Sequence, residues 1–362
     1  MPKKPEPRRQ RLAPGVFDLP VEKMRAGWYT DAYFNHARAT LLADGRHPRV
    51  LVQVFQKNDA WLGGMDEAIA ILRLCSHDPD SLTIRGLHDG DRVEPWETVL
   101  TIEGDYTTFA HLETVYLGTL ARRTLITTNV VRVLEAASGK PVIFMPARFD
   151  HHRVQAGDGY AAYVAGRVTG CEIGVTSDEQ ASWWGGRAIG TVPHSLIASY
   201  GGDTVLAARK FAEWASPEMS VTVLVDFEND SVQTALEVAE ALGDRLWGVR
   251  LDTSETLVDR SLWQEMGEFK PTGVNERLVR KTRDALDGAG FGHVRIVVSG
   301  GFTAEKIRAF EEAGVPVDAY GVGSSLIRGA NDFTADVVLT DGQPSGKFGR
   351  VLRDNTRLEL VD

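Results

Sequence analysis

From about residue 125 the sequence becomes a regular exchange of short β-branched runs and amphipathic stretches, and that alternation constrains the fold more than any other feature. Strands are predicted at 141–145, 171–175, 187–191, 221–225, 246–251, 293–298 and 317–321. Helices are predicted at 127–138, 159–168, 178–184, 195–213, 231–242 and 275–286, with Gly201-Gly202 breaking the fourth of them. Such a series of parallel strands, each but the last followed by a crossover, fits either a doubly wound sheet or a β/α barrel. Polar residues follow almost every strand, which favours the barrel, because its C-terminal mouth is lined by residues in those positions.

The last two strands end in glycines. Ser299-Gly300-Gly301 follows the first, and Thr303 is placed to cap the next helix. Gly321-Val322-Gly323-Ser324-Ser325 follows the second and opens another helix. Two tandem strand-to-helix turns without Cβ atoms allow backbone N–H groups to face a ligand, aided by the helix dipole. Tight turning alone would explain either one. The pair at this spacing predicts a phosphate cradle.

Residues 15–125 alternate less cleanly. A helix is predicted from Thr30 or Asp31 and another at 65–74, with strands at 49–56 and 98–103; 49–56 reads as a half-buried antiparallel strand. Widely spaced short strands with a few helices predict an α+β sandwich. The tail at 335–350 has strand character and is expected to return to this first domain. The expected organisation is an arm at 1–14, an N-terminal α+β domain at 15–125 with 331–362 returning to it, and a β/α barrel at 126–330.

Composition narrows the function. A formal net charge of −10 over 362 residues disfavours a nucleic-acid surface. No apolar run approaches a membrane span, so no membrane association is expected. The first dozen residues are basic with no apolar stretch after them, which reads as a disordered arm and not a secretory signal. Cys75 and Cys171 are far apart and lie in no metal-binding spacing. A cytoplasmic protein is expected.

The residues just past each strand bring unlike groups to one face: Arg148, then Thr176-Ser177, His194, Asp226 with Glu228, Asp252, and the two glycine turns. An Arg offers a planar fork to a carboxylate or pyrophosphate. Paired Asp residues suit ribose hydroxyls or a hydrated magnesium ion. Blander roles exist for each: helix capping for Asp226 and Asp252, a local hydrogen bond for His194, a rim salt bridge for Arg148. His151-His152 reads as pocket lining or surface, and Trp183-Trp184 as packing. Together the set fits a phosphorylated, hydroxyl-rich, metal-carrying ligand, with His194 as nucleophile or acid–base group.

These residues carry a resemblance to the nicotinate phosphoribosyltransferase family, within the type II phosphoribosyltransferases that also include quinolinate phosphoribosyltransferase. The matching pieces are Tyr29-Thr30-Asp31-Ala32-Tyr33, Glu113-Thr114 with Leu117-Gly118, Gly190-Thr191 with His194-Ser195, Val225-Asp226 and Arg250-Leu251-Asp252. Val298-Ser299-Gly300-Gly301, Gly321-Val322-Gly323-Ser324, Lys347 and Gly349-Arg350 complete the set, which covers nearly the whole chain after residue 15. The resemblance implies an α/β sandwich domain and an irregular seven-stranded β/α barrel. It implies transfer of phosphoribosyl from phosphoribosyl pyrophosphate to nicotinate, giving nicotinate mononucleotide in NAD salvage, with ATP coupling. It implies a homodimer whose active sites take residues from the partner's N-terminal domain.

By position, Asp31 and Tyr33 would come from that domain, Tyr33 stacking on the base. Arg148 would hold the nicotinate carboxylate or the pyrophosphate. His194 matches the histidine phosphorylated in ATP-coupled members, and Thr191 beside it falls in the substrate site. Asp226 and Asp252 would take ribose hydroxyls and the Mg²⁺ carried by the pyrophosphate. Ser299, Gly300, Gly301, Gly321, Gly323 and Ser324 would bind the 5′-phosphate. Where many relatives have paired Arg residues, this chain reads Ala147-Arg148-Phe149-Asp150. A phosphoribosyltransferase for quinolinate or another aromatic acid therefore stays open, as does a non-catalytic phosphate-ligand module.

Overall fold

The computed structural model describes residues 10–267 and 269–361, and these divide into two units. One takes the chain up to Thr128 and again from Gly329; the other is Asn129–Arg328. Helix Glu113–Ala136 runs through the first boundary, so the helix expected at 127–138 is the end of a much longer one. The fold class is α/β, as the sequence predicts, with an antiparallel sheet in the first unit and a parallel barrel sheet in the second.

In the first unit, Arg49–Phe55 lies between Thr98–Asp105 and Thr334–Thr340, antiparallel to both. The tail strand thus joins the first sheet, which Thr83–Gly86, Gln343–Pro344 and Glu359–Leu360 extend. Helix Met65–Cys75 is buried along most of its length against this sheet's core. The alternation at 49–56 predicts a strand with one wet face, but almost all of Arg49–Phe55 is buried. The chain after Gly349 covers the polar face: Gln53 Nε2 donates to the Val351 carbonyl at 3.0 Å, and its Oε1 accepts from Arg353 N at 3.0 Å. Of the expected arm, residues 1–9 lie outside the described residues. From Arg11 onward the chain is held in place, with Arg11 Nη1 2.8 Å from Asp66 Oδ1 and Nη2 donating to the carbonyls of Gly86 and Leu87.

The second unit is a ring of parallel strands in chain order. Val142–Phe144 pairs with Ile173–Val175 on one side and with Ala319–Val322 on the other. Beyond Ala319–Val322 come Arg295–Val298, Leu246–Leu251 and Val221–Leu224. Among the described residues six strands form, one fewer than expected, because 187–191 does not pair as a run. Instead Ala188 bridges Val175 and Val192 bridges Val223, both parallel, and these two single bridges close the ring. Gly185-Gly186, Gly190 and Pro193 crowd this stretch, and such residues weaken or block continuous pairing. The barrel is therefore irregular at this segment.

The crossover helices follow from local signals. The helix expected at 195–213 is split into His194–Ser199 and Thr204–Trp214. Gly201 and Gly202 adopt φ +71° and +92° between them, and Asp203 caps the second piece by accepting from Leu206 N at 2.8 Å. The helix expected at 178–184 stops at Ala181, behind a Ser177–Gln180 capping box. Trp184 then folds back, donates to the Gln180 carbonyl and stacks on Tyr163 at 4.7 Å, a packing role. Among the described residues no helix is long and apolar enough to cross a membrane.

Candidate active site

Barrel strands alternate their side chains, so Arg250 and Asp252, two apart at the end of Leu246–Leu251, face the same side. Their side chains meet at the C-terminal rim. Arg250 Nη2 lies 3.2 Å from Asp252 Oδ2. Arg250 Nε donates to Ser299 Oγ at 2.8 Å, and Nη1 donates to Thr191 Oγ1 at 3.3 Å. Ser299 Oγ in turn donates to Asp252 Oδ1 at 2.6 Å. One guanidinium thus ties together three of the predicted residues, from three separate segments of the ring.

The next strand, Val221–Leu224, delivers Asp226 two residues past its end. Its Oδ1 stands 2.9 Å from His194 Nε2. That hydrogen bond raises the His194 pKa above its ordinary value, against a desolvation effect of opposite sign, with the charges of Asp226 and Asp252 adding to it. Neither Asp226 nor Asp252 caps a helix. The helix after Asp226 has Asp230 at its N-cap, so the capping alternative for Asp226 fails; the Asp252 side chain is likewise bound to Arg250 and Ser299. His194 also does more than bond locally.

The two glycine turns come together. Gly300 and Gly301 take φ +81° and +71°, the left-handed region that favours glycine. Gly321, expected in the second turn, lies instead inside the buried strand Ala319–Val322, paired with Ile143, and the turn begins at Gly323. A Cβ on Gly321 would stand 2.9 Å from Met145 Sδ and 3.1 Å from Ser299 Cβ, so this strand packs closely on the end of its neighbour. Ser325 Oγ donates to the Phe302 carbonyl at 2.9 Å and fastens the two turns. Thr303 caps the following helix through its side chain, as predicted. The segment after Gly323 is only a 3-10 turn, Ser324–Ile327, in place of the helix expected there. Ser299 is 2 % exposed, its N–H is bonded to the Leu251 carbonyl, and its hydroxyl serves Arg250 and Asp252. Its donors face the network and not the open turn.

Arg148 lies in the 3-10 turn Ala147–Phe149 with its guanidinium 5.5 Å from the Phe149 ring centre. Phe149 in turn fills the space where Gly323 would carry a Cβ, 2.8 Å away. Arg148 is therefore beside the second glycine turn, through Phe149. The His151 and His152 rings lie against each other, centres 4.2 Å apart and tilted by 34°, and His151 Nδ1 accepts from Arg153 N. Among the described residues no group of three His, Cys, Asp or Glu side chains is arranged to hold a metal ion.

Asp31 and Tyr33 belong to the first unit. Asp31 Oδ2 accepts from Thr114 Oγ1 at 3.0 Å and from Tyr33 Oη at 3.2 Å. The Tyr33 ring is 62 % exposed. Sequence reasoning gave no role to Arg250, although the two-residue spacing to Asp252 on a predicted strand was the available signal.

Comparison with known proteins places the chain. A family model described as the quinolinate phosphoribosyl transferase N-terminal domain matches residues 31–124. A nicotinate phosphoribosyltransferase of Mycobacterium tuberculosis is 32% identical over 273 residues, covering 73% of this chain and 55% of that protein. One from Bacillus subtilis is 24% identical over 244 residues, 67% of this chain and 45% of that protein. The chain thus spans about half the length of the curated relatives it matches. The solved nicotinate-nucleotide pyrophosphorylase from Pyrococcus furiosus matches with a TM-score of 0.79 and 30% identity, over 95% of this chain and 85% of that one. Human nicotinic acid phosphoribosyltransferase, at 18% identity and TM-score 0.62 over 88% of this chain and 76% of that one, shares the fold. With its barrel-rim motifs and a relative of this identity and coverage, the chain belongs to the nicotinate and quinolinate phosphoribosyltransferase family.

Proposed function

We propose that this protein is a nicotinate phosphoribosyltransferase that feeds NAD salvage. The pyridine nitrogen of nicotinate attacks C1 of phosphoribosyl pyrophosphate, the C1–oxygen bond breaks, and pyrophosphate leaves with the electron pair. The observation that carries this reading is the Thr191–Arg250–Asp252–Ser299 network standing beside two packed glycine turns and the His194–Asp226 pair. A sugar developing positive charge is stabilised by fixed carboxylates, and Asp226 and Asp252 are fixed by their hydrogen bonds. Gly300, Gly301 and Gly323, with Ser324, receive the 5′-phosphate. Arg148 takes the carboxylate of nicotinate or the leaving pyrophosphate.

Asp226 and Asp252 would hold a Mg²⁺ ion carried by the pyrophosphate, since such an ion keeps several waters and needs only one or two protein carboxylates. When bound it neutralises charge on the leaving group. ATP coupling falls to His194: the Asp226 bond fixes one ring nitrogen and leaves the other as the nucleophile for a phosphoryl group. The enzyme works as a homodimer, with Asp31 and Tyr33 serving the barrel of the partner. Phosphoribosyl pyrophosphate is a polyanion that does not cross bilayers unaided, so the reaction belongs in the cytoplasm.

The test is incubation with phosphoribosyl pyrophosphate and Mg²⁺ against nicotinate, quinolinate and nicotinamide, each with and without ATP. Mononucleotide from nicotinate alone, faster with ATP, supports the proposal. The second reading is quinolinate turnover, favoured by the matching N-terminal family model. Carbon dioxide released from quinolinate would establish that reading and overturn the first. Ligand binding without turnover, unaltered in His194→Ala, would mark a binding module.

A further inference from the structure

A cavity of about 540 Å³ opens between the loop after strand Leu246–Leu251, the start of helix Glu276–Gly288 and the start of helix Ala304–Glu312. A space of that size holds a small-molecule ligand. None of Gly300, Gly301, Gly323 or Ser324 lines it, so it is separate from the two glycine turns.

The group that makes this cavity more than a surface hollow is Lys306. Its half-buried side chain lays the ammonium 4.3 Å from the Phe302 ring centre and 5.9 Å from that of Phe310. Among the described residues no carboxylate forms an ion pair with it. Burial pulls its pKa below the ordinary value; the charge of Glu255 opposes this, and that of Lys270 adds to it. A cation that has lost part of its water and has no counter-ion is stabilised by an anion that reaches it.

The rest of the wall supplies further charge and a flat surface. Lys270 lines it. The 13-residue helix Glu276–Gly288 begins at it, with Asn275 Oδ1 accepting from Leu278 N at 3.1 Å, and a helix start favours negative charge. Arg277 is already held by Glu265 at 2.6 Å, but its guanidinium lies 4.3 Å from the Phe269 ring centre and steadies that half-buried ring in the wall. Glu255 and Glu276 also line the cavity and can accept from hydroxyl groups.

We propose that this cavity is a second ligand site, and that it takes a nucleoside monophosphate: phosphate on Lys306 and Lys270, base against Phe269 and Phe310, ribose hydroxyls on Glu255 and Glu276. The lining selects that class. Free phosphate leaves the aromatic wall bare and meets two carboxylates with nothing to offer them. An uncharged nucleoside leaves Lys306 without its anion. The site stands apart from the reaction assigned to the barrel rim, because none of these residues belongs to the Arg250 network or to the His194–Asp226 pair.

The test is calorimetric titration of the whole chain with adenosine 5′-monophosphate, alone and again with phosphoribosyl pyrophosphate and Mg²⁺ at saturation, beside adenosine and inorganic phosphate. With the sugar pyrophosphate present, one site per chain is expected to remain open to the monophosphate. Lys306→Met, which keeps an apolar stem against Phe302, should weaken that site about tenfold or more, and Lys306→Arg should restore most of the affinity. Phe269→Ala should weaken the monophosphate about tenfold and leave inorganic phosphate unchanged. Adenosine should bind at least roughly tenfold more weakly than its monophosphate. Thermal unfolding of each variant checks that it folds. No binding to the wild type would overturn the proposal. So would complete exclusion of the monophosphate by phosphoribosyl pyrophosphate, which would put it in the glycine turns. Affinity unchanged in Lys306→Met would reduce Lys306 to packing, and equal losses of monophosphate and phosphate in Phe269→Ala would remove the base from that wall; either refutes the assignment. Lys306-dependent binding in a protein that forms no mononucleotide from nicotinate would uphold this site and overturn only the reaction.

Discussion

Replacing Ser299 by Ala separates two roles that the sequence alone cannot. As a phosphate ligand, Ser299 would touch substrate; as the structure has it, its hydroxyl joins Arg250 Nε at 2.8 Å to Asp252 Oδ1 at 2.6 Å. The change deletes one oxygen at a site 2 % exposed and creates almost no cavity. What it removes is two hydrogen bonds to charged groups, worth about 1.5–3 kcal/mol each when nothing replaces them. Something does replace them in part. Arg250 and Asp252 remain paired at 3.2 Å and keep 16% and 18% of their side-chain surface in water. The net stability loss should therefore be about 2 kcal/mol, or roughly 4–8 °C in melting temperature for a unit of the barrel's size. Activity discriminates more sharply. With Asp252 and Arg250 free to turn, kcat should fall roughly tenfold to a hundredfold, while KM for phosphoribosyl pyrophosphate changes less than about threefold. Initial rates over a range of phosphoribosyl pyrophosphate, with scanning calorimetry on the same preparations, give both numbers. A raised KM at unchanged kcat would mean that the hydroxyl binds substrate, and the positioning argument would be wrong.

Other perturbations follow from the same geometry. Asp226→Asn should lower the titration midpoint of the His194 ring in NMR; an unmoved midpoint would sink the pairing. Because that pKa is raised in the folded protein, the pair stabilises below the ordinary histidine pKa of about 6.5 and its contribution fades as pH rises through the folded value. Gly323→Ala places a methyl 2.8 Å from the Phe149 ring and should raise KM for nicotinate by displacing Arg148; wild-type KM values would show that this contact has no bearing on the base. Glu113 is pushed up to about 7, first by burial and then by Asp336. Unfolded chains ionise this group near its ordinary value of 4.5, so stability should drop as pH climbs from there to about 7. Glu113→Gln should flatten that slope in urea titrations, and an unchanged slope would mean the carboxyl is not held neutral.

Much of the barrel was legible because its strands fall on short, mostly apolar runs between helix signals. Local cues also marked Thr303 as a cap and Gly201-Gly202 as a break, since both effects act within one turn of chain. The closing segment at 187–191 was not legible in this way. Its residues alternate like a strand, but whether they pair depends on neighbours 13 and 31 residues distant, Val175 for Ala188 and Val223 for Val192. The same limit applies to Gln53, whose polar side looks solvated until a segment about three hundred residues later covers it. At the rim, position after a strand was enough to nominate His194, Asp226 and Asp252. It could not say that Ser299 faces inward, nor that Arg250 reaches three partners, because both depend on which way neighbouring strands present their ends.

The two single bridges that close the ring have a mechanical meaning. A sheet held elsewhere by runs of paired residues is joined there by isolated bridges, with Ile189 N–H donating to the Val175 carbonyl and Val192 N–H to the Thr222 carbonyl, and between them lies Thr191, the hydroxyl that Arg250 reaches. The seam is thus the place where the wall can part with the fewest bonds broken, and it carries His194 at its end. Motion of the histidine relative to Asp252 would then cost little, and hydrogen exchange should find the amides of 188–192 opening ahead of every other strand of the barrel.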